Sequence, residues 1–405
     1  MSGKNVIIIG CGIAGPVLSM LLQHKGFNPL IYERLPEMSQ GGIAIGLSPQ
    51  TLKVLNILGL ANDLITISAT LEETYAYSEL SGEELGHSDG VGNMRAALGW
   101  PMICVARAAY SEFLFNAITK RGIPVQFNKK AVDVSQDADK VTVVFEDGTK
   151  ADGDLLVGAD GLHSTIRNVL FGKDEVTYMG LVQIGGFSPI PEFFKSWKPT
   201  LFSGYGNGAH FLSSPINDSQ IGWSITIGQA VEAREDWPRL NLEETKTMVN
   251  ALPVAQWGHG TKDILAGATF ATKFGLYERP ILPVWHKGRI VLVGDAAHPT
   301  SPHLGQGSNQ ALEDCYHLVR VLLKAEPWTD ASLEAAFSEY EGIRIHIVQK
   351  SVGQAKKEGE LRVWVGEEAC RKRDEIVKQG GGFSPERAKL QMELVQGPFS
   401  GESEI

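Results

Sequence analysis

The chain has 405 residues, 43% hydrophobic and 21% charged, which is enough apolar sequence for a large buried core. Acidic residues outnumber basic ones by 47 to 37, the net charge is −10 and no basic stripe offsets it, so nucleic-acid binding is not expected. No apolar run approaches the ~20 residues of a membrane span, so we expect a cytoplasmic protein that does not associate with membranes. The four cysteines are scattered without metal-ligand or disulfide spacing, so we expect no metal site.

The first predicted element is a βαβ unit. Residues 5–9 are continuously apolar, as in a strand covered on both faces, and the turn Gly10-Cys-Gly12-Ile-Ala-Gly15 leads into a helix. Gly10 and Gly12 leave room for a pyrophosphate, the positive helix end faces that anion, and Gly15 lets the helix pack on the strand. Glu33 ends the second strand, where a carboxylate accepts from ribose hydroxyls. The unit predicts a dinucleotide site and leaves NAD or FAD open.

The middle of the chain changes from alternating strands and helices to mostly strands. Residues 131–150 alternate around an Asp-Gly turn and predict an antiparallel ribbon, and DLLVGADG at 154–161 repeats the pattern of a strand running into glycine. Residues 176–282 are rich in aromatic residues, Gly and Pro, and predict a separate, largely β layer. The last part, from about residue 331, is predicted to be helical with a frayed tail.

A second glycine turn follows the strand in GRIVLVGDAA, residues 288–297. Asp295 lies where that strand ends, at the sheet edge where open α/β folds bind ligands, and it can hold a sugar-like hydroxyl. Gly305-Gln306-Gly307 precedes a helix predicted over 308–324, so its bare amides and the positive helix end face one point. Such donors favour negative charge on a group bound at that point. We therefore expect the two glycine turns to hold opposite ends of one cofactor.

Four segments together resemble the single-component FAD-dependent aromatic hydroxylases, the class of the p-hydroxybenzoate and salicylate hydroxylases. They are residues 10–34, 42–60, 154–167 and 288–314, and the resemblance runs from residue 5 to about residue 325. The family's usual Asn in the second segment is Gln50 here. The last segment, GRIVLVGDAAHPTSPHLGQGSNQALED, is the most specific of the four.

The resemblance implies an α/β fold, with a Rossmann-like FAD-binding domain, a mixed β-sheet substrate domain and C-terminal helices. We assign residues 1–75, 100–175 and 285–345 to the FAD-binding domain. Residues 76–99 and 176–284 are assigned to the substrate domain, and residues 346–405 to a C-terminal helical segment and tail.

The resemblance also assigns cofactor contacts along all of these motifs. They are Gly10, Gly12, Ile13, Ala14, Gly15, Glu33, Arg34, Ile45, Arg107, Asp160, Gly161, Asp295, Ala296, Pro302, Gly305, Gln306, Gly307, Ser308 and Asn309. A solvated ion pair with Glu112 is the alternative for Arg107, and a plain turn is the alternative for Asp160 and Gly161. Arg167 could equally be a surface residue, and His298 is expected to fix the strand exit.

The reaction implied by the resemblance is monooxygenation. NADPH or NADH binds transiently and reduces FAD, O₂ forms a hydroperoxide at flavin C4a, and one oxygen atom enters a small aromatic or polycyclic substrate. Catalytic candidates are His303, His210, Tyr205 and Pro302, because a base or acceptor near a phenol hydroxyl helps the ring attack. Loop support is the alternative for His303, and packing is the alternative for His210 and Tyr205. We expect a monomer or homodimer.

Two other functions stay open at this point. A flavin-dependent halogenase or reductase-like enzyme would share the fold, although GWSITIG at 222–228 lacks the second Trp and the Pro of the halogenase segment. A non-catalytic flavin-binding protein is the other alternative, and the intact glycine turns argue against it.

Overall fold

The computed structural model describes residues 3–39, 41–232, 240–380, 389 and 392–405. The strands of this part are β1 (Asn5–Ile9), β2 (Asn28–Tyr32), β3 (Ala44–Leu47), β4 (Ala69–Thr70), β5 (Glu73–Ser78), β6 (Glu84–Ser88), β7 (Ile103–Ala106), β8 (Val125–Gln126), β9 (Ala131–Gln136), β10 (Val141–Phe145), β11 (Lys150–Gly153), β12 (Leu155–Gly158), β13 (Thr177–Pro189), β14 (Thr200–Tyr205), β15 (Ala209–Pro215), β16 (Gln220–Gly228), β17 (Phe270–Glu278), β18 (His286–Lys287) and β19 (Ile290–Leu292). The α-helices are α1 (Ala14–His24), α2 (Pro49–Ile57), α3 (Ala61–Thr66), α4 (Gly90–Leu98), α5 (Arg107–Lys120), α6 (Thr165–Phe171), α7 (Leu242–Asn250), α8 (Thr261–Ala266), α9 (Gly307–Lys324), α10 (Asp330–Arg362) and α11 (Glu367–Gly380). Among the helices described, none combines the length and apolar character that a membrane crossing requires.

The first sheet brings the three strand-to-glycine segments side by side. Its strand order is β18-β19-β12-β1-β2-β8, and β1 pairs in parallel with both β2 and β12, while β12 pairs in parallel with β19. The side chains of these central strands are almost entirely buried, as the continuous apolar runs predicted. Because β1, β12 and β19 are parallel, their carboxyl ends, and the turns that follow them, meet at one edge of the sheet. The predicted α/β fold class is confirmed.

Close packing at the first turn explains one of its glycines. A Cβ at Gly15 would stand 2.0 Å from the carbonyl oxygen of Gly10, so any larger residue would push α1 away from β1. Helix α1 also packs against α9, the helix that follows the second glycine turn. The two turns are therefore held together by direct helix packing.

The second sheet is the predicted β layer, and it recruits two strands from earlier in the chain. Its order is β17-β13-β16-β15-β14-β5-β6, antiparallel except where β14 pairs in parallel with β5. One face packs on an aromatic core that includes Phe202, Phe211 and Trp223 and on helices α7 and α8. The opposite face carries small and polar side chains toward the first sheet. The antiparallel ribbon expected at 131–150 is also present, as β9 and β10 with β11 added.

Two predicted domain boundaries fall inside regular elements. Strand β5 begins at Glu73, so the boundary after residue 75 lies within it, and the boundary after residue 345 lies within the continuous helix α10. The division into domains stays a prediction, and the structure shows which elements cross it.

The expectation of a frayed tail, residues 397–405, was wrong. The Lys53 Nζ donates to the carbonyl oxygens of Gln396 and Phe399, and the Phe399 ring lies 5.1 Å from that of Tyr316. Ile405 is buried as well. A few apolar anchors in a mostly polar tail are enough to dock it on α2 and α9.

Arg167 is buried, so the surface alternative for it is wrong. Its guanidinium donates to the carbonyl oxygens of Ala297 and Pro280 and pairs with Asp174. It therefore ties α6 to the loop that follows β19.

Candidate active site

A cavity of about 770 Å³ lies between the first sheet, the second sheet and α10. Both glycine turns open into it, together with the polar face of the second sheet and part of the tail. Its volume is in the upper part of the range for small-molecule and cofactor sites. The predicted site residues that line it are Gly12, Ile13, Ala14, Ile45, Arg107, Gly161, Tyr205, Asp295, Pro302, His303, Gly305, Gln306, Gly307 and Ser308.

The first glycine turn offers unobstructed backbone to the cavity. Gly10 has a φ of +111°, and a Cβ there would stand 2.4 Å from the Ala159 carbonyl oxygen, whereas the Cβ position of Gly12 is open. Helix α1 begins without a side-chain cap and without an acidic residue in its first turn. Its first amides are therefore available to an anion. Glu33 closes the turn by accepting the Cys11 amide proton at 2.7 Å.

The second glycine turn has the same features at the other end of the cavity. Gly305 has a φ of +62° with open space around it, and α9 begins at Gly307 without a side-chain cap or an acidic residue in its first turn. The hydroxyl of Ser308 is buried and has no hydrogen-bond partner among the described residues. A buried polar atom of this kind normally has a partner, so its place is consistent with a bound ligand atom.

Asp295 and Arg107 face each other across the cavity between the two turns. The Asp295 side chain is exposed, and the Arg107 guanidinium donates to the Gly41 carbonyl oxygen at 2.9 Å. Burial lowers the pKa of Arg107, and the nearby carboxylate of Asp295 opposes that shift. The pair can hold hydroxyl and phosphate groups of a long cofactor between the two turns.

A buried ionic network fixes the turn that carries Asp295. The carboxylate of Asp314 accepts the Gly294 amide proton at 2.9 Å, lies 2.5 Å from His298 Nε2 and accepts from Arg344 Nε at 2.7 Å. Burial raises the pKa of Asp314, but His298 and Arg344 outweigh burial and bring it to about 2. Arg344 also pairs with Glu313. His298, expected to fix the strand exit, acts through Asp314.

Several predicted cofactor residues do not line the cavity. They are Gly10, Gly15, Glu33, Arg34, Asp160, Ala296 and Asn309. Asp160 accepts from the Ser164 hydroxyl and the Thr165 amide and so caps α6. The Asn309 side chain accepts from the Ser48 amide and the Thr51 hydroxyl and donates to the Gly46 and Gly305 carbonyls. Asn309 therefore positions the Gly305 turn, and direct contacts of these residues with a cofactor stay predictions.

His303 presents an unpartnered nitrogen at the cavity wall. It is 4% exposed, its Nδ1 lies 3.0 Å from the Ser301 hydroxyl, and its Nε2 is buried without a partner among the described residues. Burial, followed by the charge of Arg362, lowers the pKa of His303 to about 3. The ring is thus neutral at physiological pH. It packs against Gly359 of α10, where a Cβ would stand 2.5 Å from the ring.

The other two catalytic candidates of the sheet lie at different depths. Tyr205 and His210 are opposite each other in the register of β14 and β15, with ring centroids 4.6 Å apart. Tyr205 lines the cavity, whereas His210 is 1% exposed and does not. Burial, followed by nearby positive charges, lowers the pKa of His210 well below its usual value. His210 can therefore support Tyr205, and it does not reach the cavity itself.

Sequence reasoning missed Arg362 at the end of α10. Its Nη2 donates to the His303 carbonyl oxygen at 3.0 Å, its guanidinium contacts the Tyr205 hydroxyl, and it lines the cavity. The signal was present in QAKKEGELR. Ala355, Gly359 and Arg362 recur at helical spacing as a buried stripe within a segment that otherwise appears charged.

The rest of the cavity wall is made mostly of small and apolar side chains. In the register of the sheet, Ser224 and Ser203 both oppose Leu212, and Ser203 also opposes Ala76, so these side chains share the face toward the cavity. Apolar residues of α4 and the tail close the other side: Val91, Met94, Met392, Leu394 and Val395. A flat ring with few polar groups fits such a wall.

Comparison with known proteins gives the class of this site. A family model described as an FAD binding domain matches residues 4–355. The 3-amino-4-hydroxybenzoate 2-monooxygenase of Streptomyces cremeus is 29% identical over 344 residues, 84% of this chain and 83% of the relative. The 6-hydroxynicotinate 3-monooxygenase of Bordetella bronchiseptica is 29% identical over 346 residues, 85% and 88% of the two chains. A crystal structure of Klebsiella pneumoniae HpxO complexed with FAD and uric acid aligns with a TM-score of 0.83 at 24% identity and covers 98% of each chain.

The chain belongs to the FAD binding domain family, in which its relatives are single-component FAD-dependent aromatic monooxygenases. It is an FAD-dependent monooxygenase, as the motifs predicted, and FAD is its cofactor. The halogenase alternative is not favoured. The two uncapped helix starts and the orphaned Ser308 hydroxyl fit this cofactor.

Proposed function

We propose that the protein uses NAD(P)H and O₂ to hydroxylate a hydroxylated aromatic or N-heteroaromatic ring held between His303 and the small-residue wall of the second sheet. The support is chemical. The relatives named above act on rings that already carry a hydroxyl group, and HpxO was crystallised with uric acid. The single observation that carries the proposal is that His303, a histidine whose Nε2 is unpartnered among the described residues, lines the same cavity as both glycine turns.

FAD, once reduced and exposed to O₂, supplies the activated oxygen atom. The chain's own residues bind and orient this group. The amides of Gly12 and the first turn of α1 would hold the phosphates, Asp295 the ribityl hydroxyls, and Gly305 to Gly307 the ring edge. Pro302 lies in the same loop and lines the cavity, so its backbone would shape one face of the ring.

His303 acts on the ring hydroxyl of the substrate. With Ser301 donating to Nδ1, Nε2 carries the proton and donates to a phenolate oxygen. With Nδ1 donating to Ser301, Nε2 accepts from a phenol. In either tautomer the imidazole is neutral, so it favours the electron-rich form of the ring without adding charge. Tyr205, at the end of β14, lines the same cavity and supplies a second hydroxyl.

Exclusion of water is the other task of the cavity. An activated oxygen that meets water is released as hydrogen peroxide instead of reaching the substrate. The apolar residues of α4 and of the tail form the cavity wall that lies opposite the second sheet. We therefore expect the ratio of product to peroxide to respond to changes in this wall and in His303.

The test is turnover by the purified yellow holoenzyme with NADPH and with NADH. A panel of hydroxybenzoates, hydroxypyridines and two-ring phenols is supplied, and NAD(P)H oxidation, peroxide and product mass are followed under ¹⁸O₂. At least one ring should gain one ¹⁸O atom and stimulate NAD(P)H oxidation. Stimulation by none of the panel, with no labelled product, would count against the proposal and favour a non-catalytic flavin protein.

His303→Ala should keep FAD and shift the ratio from product toward peroxide. His317→Ala is the matched control. His317, in α9, is likewise a buried histidine whose pKa burial and nearby arginines lower to about 3, but it does not line the cavity. Equal product ratios in the two variants would remove His303 from the reaction.

A further inference from the structure

Arg362 is a buried cation without a carboxylate partner. It is 9% exposed, its Nε has no hydrogen-bond partner, and no ion pair with Asp or Glu is formed among the described residues. Its remaining contacts are the His303 carbonyl and the Tyr205 hydroxyl, both of which are uncharged. Buried guanidinium groups normally face a counter-charge, because removing a charge from water is costly unless it is paired.

The neighbouring charges do not compensate Arg362. Arg373, on α11, pairs with Asp374 and stacks over the Tyr205 ring at 5.5 Å, so that carboxylate already has its cation. His303 and His210 are neutral. Glu358 lies one helical turn earlier and lines the cavity, but Tyr205, and not Glu358, is the group that opposes the lowering of the Arg362 pKa by burial. One positive charge therefore remains at this end of the cavity.

The position of that charge matches the substrate end of the site. Arg362, His303 and Tyr205 all line the cavity, and Arg362 contacts the His303 carbonyl, so a group held by Arg362 places the attached ring close to His303. The rest of the cavity wall consists mostly of small and apolar residues. Among the described residues, Arg107, near Asp295, is the other Arg or Lys that lines the cavity.

We infer that Arg362 binds an anionic group of the substrate, a carboxylate or an ionised ring oxygen, and so orients the ring for oxygenation. The inference rests on the proposed function for the meaning of the site, but binding can be tested without turnover. Its alternative is a purely structural role, in which Arg362 only ties α10 to the His303 loop.

The test titrates oxidised holoenzyme, without reductant, while the flavin absorbance is followed. The carboxylate probes are 3-hydroxybenzoate and 3-hydroxy-2-naphthoate, each compared with its uncharged amide. The ring-oxygen probe is 4-nitrophenol, compared below and above its own pKa. Wild-type protein should bind the anionic member of at least one pair about tenfold more tightly, because a charge-assisted hydrogen bond is stronger than a neutral one. The pair that shows the preference identifies the anion source.

Arg362→Met should remove that preference and change the affinity for the neutral member by less than about threefold. Arg362→Lys should keep part of the preference. A wild-type protein that prefers no anionic member, or an Arg362→Met variant that retains the preference, overturns the inference.

Thermal unfolding of the ligand-free holoenzyme separates binding from a structural role. Arg362→Met removes an uncompensated buried charge and should melt at the wild-type temperature or higher. A lower melting temperature with loss of FAD would show that the contacts with His303 and Tyr205 are structural and would overturn the inference. Binding of anions without any turnover would contradict the proposed function alone, whereas turnover that is unchanged in Arg362→Met would contradict this inference alone.

Discussion

Replacing Gly359 with alanine places one methyl group against the His303 ring. In the structure, an ideal Cβ at this position stands 2.5 Å from His303 Cε1 and Nδ1, closer than two unbonded carbon atoms approach. The ring is buried and tied to Ser301, so it moves only by losing that contact. Overpacking of this kind costs about 1–3 kcal/mol, and removing a helical glycine returns about 0.5–1 kcal/mol. We therefore expect a net loss of roughly 0–2.5 kcal/mol, together with a displaced imidazole.

Gly353→Ala is the matched control in the same helix. Gly353 is exposed, and nothing lies within 4 Å of its Cβ position, so alanine should stabilise the protein by about 0.5–1 kcal/mol. The assay compares urea unfolding and the ratio of ring product to hydrogen peroxide in both variants. Both variants should bind FAD. Gly359→Ala should unfold at a lower urea concentration and release more peroxide than the wild type, whereas Gly353→Ala should show neither change. A folded, flavin-loaded Gly359→Ala protein with the wild-type product ratio would refute the reasoning about His303.

Asp295→Ala should emerge from gel filtration largely colourless, because it has lost the proposed hydrogen bond to the ribityl chain of FAD. Asp295→Asn, which can still form a hydrogen bond there, should retain part of its FAD. Full FAD occupancy in Asp295→Ala would contradict the role proposed for Asp295. Arg344→Met leaves the buried carboxylate of Glu313 without its ion-pair partner and Asp314 with His298 alone, and we expect a loss of about 3–5 kcal/mol in thermal or urea unfolding, so an unchanged midpoint would argue against the network. His303 and His317 have pKa values of about 3 in the folded protein, below the ordinary value of about 6.5, so the unfolded chain binds more protons between these limits. The free energy of unfolding should therefore fall as pH drops from about 6.5 toward 3, by up to about 1.4 kcal/mol per pH unit for each histidine, and the slope should be smaller in His317→Gln; equal slopes would contradict the burial argument.

The cofactor half of the site could be predicted because its signals are local. Each of the three strands is an apolar run that ends in glycine, and parallel pairing brings their ends together without further information. The same logic placed Asp295 and the Gly305 turn in one cavity with Gly12.

The substrate half could not be predicted in the same way, because its residues come together only through long-range packing. Arg362 reaches His303 from 59 residues further along the chain, and its role depends on where α10 lies. The parallel pairing of β5 with β14 joins segments more than a hundred residues apart. Asn309 illustrates a further limit, since its side chain lies inside a cofactor motif and also hydrogen-bonds the protein's own backbone, which the motif does not predict.

Helix α10 connects both ends of the cavity through one continuous rod. Arg344 grips the Asp314 carboxylate behind the Asp295 turn, and Arg362 meets the His303 loop about 27 Å further along the axis, at 1.5 Å per residue. Because the helix is continuous, a shift that accommodates a bound substrate at the Arg362 end would also move the Arg344 end. Thermodynamic reciprocity then requires that whatever a docked ring adds to flavin retention, the flavin adds equally to the affinity for the ring. Coupling through this helix would make the enzyme hold its cofactor most firmly when its substrate is bound.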